Sequence, residues 1–168
     1  MRIRGKELIG RKVLLEPDKE ELGEVYDLLV DYEHHVLLGL LLSPVWSPKA
    51  PVVPFQMVHG LSGDTISVWD MRPSPHLSQR MAELLARPKV LGSLLTLPEG
   101  VPLGVLAGVT LETSTGTIVG YVVGSEDPKQ DLFLTVSPNR LYSLLDDQFR
   151  YTRSIKPAFP AALFNQGG

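Results

Sequence analysis

The chain has no cysteine, so neither a disulfide frame nor thiol chemistry is open to it. Basic residues are not in excess. The 16 Lys and Arg stand against 19 Asp and Glu, a net charge of −3, which argues against nucleic acid as the main partner. Long hydrophobic runs are missing too. Val36 to Leu42 is the longest, far short of the roughly 20 residues that span a bilayer as a helix, so no transmembrane segment is expected. Met1 to Lys12 is basic but lacks the continuous apolar core of a signal peptide. A soluble, cytoplasmic protein is the expectation.

Signatures of catalysis are scarce. The sequence holds no GxGxxG, no P-loop and no GxSxG elbow, and Gly60-Leu61-Ser62-Gly63 has the wrong spacing for the last. His34, His35, His59 and His76 lack zinc-ligand spacing, and His34-His35 falls at a hairpin tip where adjacent side chains point apart. The acidic residues of Pro17-Asp18-Lys19-Glu20-Glu21 are contiguous, without the separated pairing that acid–base chemistry uses. These gaps predict no enzyme activity, no cofactor and no metal, although sites assembled in space leave no such motif.

Apolar residues make up 43% of the chain and charged residues 21%, which selects a folded protein over a disordered one. Its 168 residues suffice for one ordinary domain or two small ones. Few Asn and many prolines, with no Cys, lean weakly toward a thermophilic source.

Leu22 to Leu42, LGEVYDLLVDYEHHVLLGLLL, organises the rest. It reads as a strand from Leu22 to near Asp31, a turn at Tyr32-Glu33-His34-His35, and an apolar strand from Val36 to Leu42. The stretch returns as Leu103 to Val123, LGVLAGVTLETSTGTIVGYVV. Leu22-Gly23 matches Leu103-Gly104, and Gly39 matches Gly120, both at an offset of 81. This spacing predicts an internal duplication. Glycines inside strand patterns mark bulges, bends or close backbone approach, and Gly23, Gly39, Gly104, Gly108 and Gly120 are such sites. In the second copy Leu103, Val105, Ala107, Val109 and Leu111 alternate with Gly104, Leu106, Gly108, Thr110 and Glu112, predicting one strand with two constant faces.

A series of motifs extends the pattern. Gly10-Arg11-Lys12-Val13 is followed by Gly23-Glu24-Val25-Tyr26-Asp27, an apolar strand with a central Gly, a turn at Val53-Pro54-Phe55, and Gly63-Asp64-Thr65-Ile66-Ser67-Val68. The series resembles the PRC-barrel family, named from the H subunit of the photosynthetic reaction centre and found also at the C-terminus of a ribosome-maturation factor. The likeness covers Met1 to Val68 and, more weakly, Gly92 to Val123, where Gly108 stands in place of the hairpin aspartate. It implies a mainly β fold of two small antiparallel β-barrels in tandem, joined by a short α-helix. The expected divisions are residues 1–72 for the first copy, 73–88 for the helix, 89–156 for a divergent second copy and 157–168 for a tail.

The remaining features place the candidate site residues. Arg2, Arg4 and Lys6 alternate along a first strand, either a contact for an acidic partner or a charged edge that resists aggregation. Leu8 to Leu15 reads as the second strand. Ser43 to Pro54, rich in proline, reads as an ordered surface loop; its Trp46 is either a recognition aromatic or a cap on a barrel end. Ser74 and Pro75 start a helix to Arg87, with Leu77, Met81, Leu84 and Leu85 as its apolar stripe and Pro88 as its stop. Leu132 to Val136 reads as a strand, Pro138 opens a helical turn through 141–145, and 148–153 reads as a last strand. Phe159 and Phe164 in the tail could dock.

PRC-barrel resemblance implies a non-catalytic protein-interaction or adaptor module, with Arg2, Arg4, Trp46, Phe159 and Phe164 as candidate partner contacts. The family's partners include a ribosomal protein and membrane electron-transfer subunits, so a ribosomal or membrane-associated complex is the expected kind of partner, and a homodimer is also open. Two alternatives stand beside it. One is an RNA- or ribosome-associated maturation factor, favoured only by Arg2, Arg4, Lys6, Arg11 and Lys12. The other is a small-ligand binder in the cleft between copies.

Overall fold

The computed structural model describes residues 1–70, 72–96, 99–127, 129–130 and 132–141. This part of the chain is mainly β and includes a curled antiparallel half-barrel sheet. It divides into two compact units, one of Met1–Arg87 with Leu111–Thr117, the other of Pro88–Thr110 with the chain from Ile118 onward.

The first unit begins with β1 (Arg2–Arg4), a 3-10 turn over Gly5–Glu7, and β2 (Lys12–Leu15). β2 is therefore shorter than the sequence pattern predicts, and Lys6 lies in the turn rather than on a strand. Next come β3 (Glu20–Glu24), β4 (Asp27–Asp31), β5 (Val36–Leu41), β6 (Val52–Pro54), β7 (Val58–Ser62) and β8 (Thr65–Val68). They form a four-stranded sheet ordered β3-β2-β8-β7 and a three-stranded sheet ordered β4-β5-β6. Most pairings are antiparallel, as expected, but β2 and β8 run parallel, with Val13 opposite Ile66.

The single strand expected from Leu22 to Asp31 is two strands. At Val25 and Tyr26 the backbone changes partners: Val25 N donates to Arg11 O at 3.0 Å and Tyr26 N to Leu41 O at 2.8 Å. The chain thereby leaves one sheet for the other, and Val25 is fully buried at the corner.

Helix α1 (Pro75–Leu85) starts where its sequence signals place it. Ser74 Oγ accepts from Leu77 N at 3.3 Å, filling one of the four open donors of the first turn, and Pro75 occupies a position that needs no donor. Met81, Leu84 and Leu85 are buried with Leu29 and Leu41 of the β4–β5 hairpin, and Leu38, Val52 and Leu77 pack at the edge.

The second unit holds β9 (Leu94–Thr96), most of β10 (Pro102–Glu112), β11 (Ile118–Gly124) and β12 (Phe133–Val136). β9 and β11 flank β10, and β12 follows β11 at the edge. The 113–116 turn of the β10–β11 hairpin belongs to the first unit, where Thr113 N donates to Met1 O and Leu37 N to Gly116 O, each at 2.9 Å. The alternation expected along β10 does not hold. Gly104 and Leu106 are buried in the first half, Val109 and Leu111 in the second. The buried face switches at Ala107-Gly108, one residue on from the positions that match Val25-Tyr26 at an offset of 81.

The two units repeat one backbone design. Gly10 N donates to Val25 O at 2.8 Å and Gly92 N to Leu106 O at 2.7 Å; Val25 N donates to Arg11 O and Leu106 N to Ser93 O. Gly23 lies at a bulge opposite Val13, and Gly104 at a bulge opposite Leu95. His35 and Gly116 each end a hairpin turn with positive φ, 53° and 77°. A helical stretch covers 138–141. The expected continuation to 145, the last strand at 148–153 and the tail with Phe159 and Phe164 lie outside the described residues.

Candidate interaction surface

Arg2 and Arg4 are exposed on β1, on either side of half-buried Ile3. Two of the other cations near them are engaged. Arg11 Nε donates to Glu7 O at 2.8 Å, and Lys12 Nζ stands 3.8 Å from Glu21. The basic cluster is interleaved with acids, which weakens it as a phosphate track.

Trp46 is half-buried against the α1 cluster, and its indole N–H donates to Arg87 O at 3.0 Å. The loop from Ser43 places it there to close the end of the helix. Its polar edge is used within the fold, which is how a buried indole is satisfied.

The most connected polar group is one that motif reasoning did not single out. Asp31 is 2% exposed. Its carboxylate accepts from Arg80 Nε at 3.1 Å and Nη2 at 3.0 Å, and it also takes the backbone N–H groups of Glu33 and His34 and contacts His34 Nδ1 at 2.8 Å. Burial alone would raise its pKa, but the Arg80 and His34 hydrogen bonds, with the guanidinium charge, outweigh it and hold it at about 2. Arg80 reaches Glu33 and Glu83 as well, and Arg87 reaches Glu33. The network pins the β4–β5 turn to α1. Every charge in it has an opposite partner, so its chemistry is that of a clamp rather than of an acid–base pair. Among the described residues, no group of three His, Asp or Glu side chains could hold a metal ion, and no helix is long and apolar enough to cross a membrane.

Among the exposed large hydrophobics of the described residues are Trp69 and the run from Leu132 to Leu134. Trp69, 62% exposed, stacks on His59 with ring centroids 4.3 Å apart. On β12 and just before it, Leu132, Phe133 and Leu134 are 64%, 64% and 55% exposed. Leu132, Leu134, Leu103 and Val123 help to line a shallow depression of about 260 Å³ in which, among the described residues, the one polar side chain is Ser125. Ser125 Oγ already accepts from Asp127 N at 3.1 Å. A wall so poor in polar groups offers nothing to orient a reacting molecule. Among the described residues β12 pairs with β11 alone, and no described strand lies on its other edge, beside apolar side chains.

No family model matches the chain, and no curated protein matches it.

The signal for this surface was present in the sequence. Leu132-Phe133-Leu134 is apolar on both faces of one strand, which reads as a doubly buried strand; the structure puts that strand at an edge.

Proposed function

We propose that the protein is a non-catalytic interaction module of tandem PRC-barrel type, and that the edge of β12 with Leu132 and Leu134 is where a protein partner docks. The observation that carries this reading is the contiguous apolar exposure of Leu132 to Leu134 on an edge strand. Exposed apolar patches on otherwise polar surfaces mark interaction sites, and an open strand edge accepts a partner strand through main-chain hydrogen bonds. The repeated Gly10–Val25 and Gly92–Leu106 hydrogen bonds support two copies of one small barrel.

The test is affinity capture from an extract of the cells that make the protein, comparing the unaltered chain with Leu132→Glu/Leu134→Glu. A partner retained by the first and lost from the second supports the reading. An unchanged capture profile, or recovery of RNA in a salt-dependent manner instead, contradicts it.

A further inference from the structure

The register of β12 fixes which way its main chain points. Ser125 N donates to Leu132 O at 3.1 Å. This pair continues the ladder in which Val123 faces Leu134 and Tyr121 faces Val136. In an antiparallel ladder, pairs that exchange hydrogen bonds alternate with pairs whose main-chain groups turn outward. Leu132, Leu134 and Val136 therefore bond toward β11. Phe133 and Thr135 turn their N–H and C=O groups to the other edge, where no described strand lies. The side chains divide by face. Leu132 and Leu134 share one face and help to line the apolar depression with Leu103 and Val123; Phe133 and Thr135 share the opposite face.

That edge lacks the protection found where the sheets end elsewhere. β1 carries Arg2 and Arg4, β3 carries Glu20, Glu21 and Glu24, β4 carries Asp27, and β6 ends in Pro54. The β7–β8 register shifts between Val58 and Gly60. Charge, proline and bulges keep a strand edge from pairing with copies of itself. From Leu132 to Ser137 the chain carries neither charge nor proline. A contact about a twofold axis sets residues near the axis against their own copies. A charge there would repel itself, and β12 has none to do so. One register pairs both outward residues within the strand: Phe133 opposite Thr135, Leu134 opposite Leu134, and Leu132 opposite Val136. Each Phe133–Thr135 pair then exchanges both its main-chain hydrogen bonds, and Leu134 meets its copy in a pair without them, where side chains come closest.

We infer that β12 pairs antiparallel with β12 of a second copy of the chain, with the twofold axis at Leu134. The inference rests on the reading of β12 as a docking edge, and it names the occupant of that edge when no other partner is present. So short a strand makes a small interface, on the order of 1,000 Å² or less, the size found in weak and transient complexes. The pairing is therefore reversible: it forms at high concentration and is released by dilution or by a competing strand.

The chain has no cysteine, so one introduced thiol can form a disulfide only between copies. Leu134→Cys places two thiols at the axis, on Cα atoms about 4.5 Å apart, within reach of a disulfide. Leu132→Cys lies on the same face but opposite Val136, which leaves its own copy about 13 Å away along the strand. At a protein concentration on the order of 1 mM, mild oxidation should link Leu134→Cys about tenfold faster than Leu132→Cys. Sedimentation of the unaltered chain should change from monomer on the order of 1 µM to dimer on the order of 1 mM. Equal linking rates overturn the inference. So does a chain that stays monomeric at the higher concentration, or a dimer that Leu132→Glu/Leu134→Glu leaves intact. The unaltered chain decides the matter even where a cysteine variant fails to fold. Failure of the docking reading looks different. A monomeric chain that still captures a partner through Leu132 and Leu134 loses only the second copy, whereas capture unchanged by the double substitution contradicts the docking reading itself.

Discussion

Gly23 and Gly104 adopt the same backbone conformation, φ +147° and +146°, each at a bulge where one strand opposes a neighbour that lacks the extra residue. Only glycine enters this region without strain. The environments differ. A Cβ at Gly23 would sit 3.6 Å from Leu42, whereas one at Gly104 would strike the carbonyl O of Gly124 and the Val123 side chain. Gly104→Ala should therefore destabilise by roughly 2–4 kcal/mol and Gly23→Ala by about 1–2 kcal/mol. Urea unfolding of the two variants compares them directly; equal losses would show that φ alone sets the cost.

A second pair of matched glycines makes a similar contrast. At Gly39 a Cβ meets the Val52 side chain and the Val53 backbone, while at Gly120 its nearest neighbour is a Thr135 methyl group at 3.3 Å. Gly39→Val should cost about 2–3 kcal/mol by overpacking, and Gly120→Val about 1 kcal/mol, since Thr135 is exposed and can yield. Thermal melts with no loss at Gly39 would contradict the packing described here.

The Asp31–Arg80 pair predicts a pH dependence. Asp31 is lowered from the ordinary 3.8 to about 2, so its contribution to stability is complete above pH 4 and is lost as pH falls toward 2. Discounted for solvent at the rim, it amounts to about 1–2 kcal/mol. Arg80→Leu leaves a buried carboxylate without its guanidinium and should cost about 3 kcal/mol at neutral pH. Because protonation relieves that carboxylate, the gap between the unaltered chain and the variant should narrow on acidification. A gap of equal size at pH 2 and pH 7 would mean that the ion pair carries no stability.

The helix and the matched glycine bulges were legible because they rest on local signals. Ser74, Pro75 and the Leu77-Met81-Leu84-Leu85 stripe write α1 into consecutive residues, and glycine at fixed spacing marks the bulges. The change of sheet at Val25-Tyr26 was not legible. A period-two pattern assumes one face throughout, and here the strand keeps its apolar spacing while its partners change. The parallel pairing of β2 with β8 and the Asp31–Arg80 clamp, 49 residues apart in sequence, depend on closure of the fold. Among the candidate contacts, Arg2 and Arg4 are exposed, whereas Trp46 is turned onto α1 by its hydrogen bond to Arg87 O. The β12 surface escaped because apolar residues signal burial, and edge position is a property of topology.

Docking on β12 is tested most directly by amide hydrogen exchange of the chain alone and bound to a captured partner. The account predicts slower exchange across Leu132 to Val136, where the strand has an open edge, with β5 and β6 unchanged. Slowing confined to Arg2–Arg4, to Trp69 and His59, or to the turn around Asp31, with β12 exchanging as before, would contradict it.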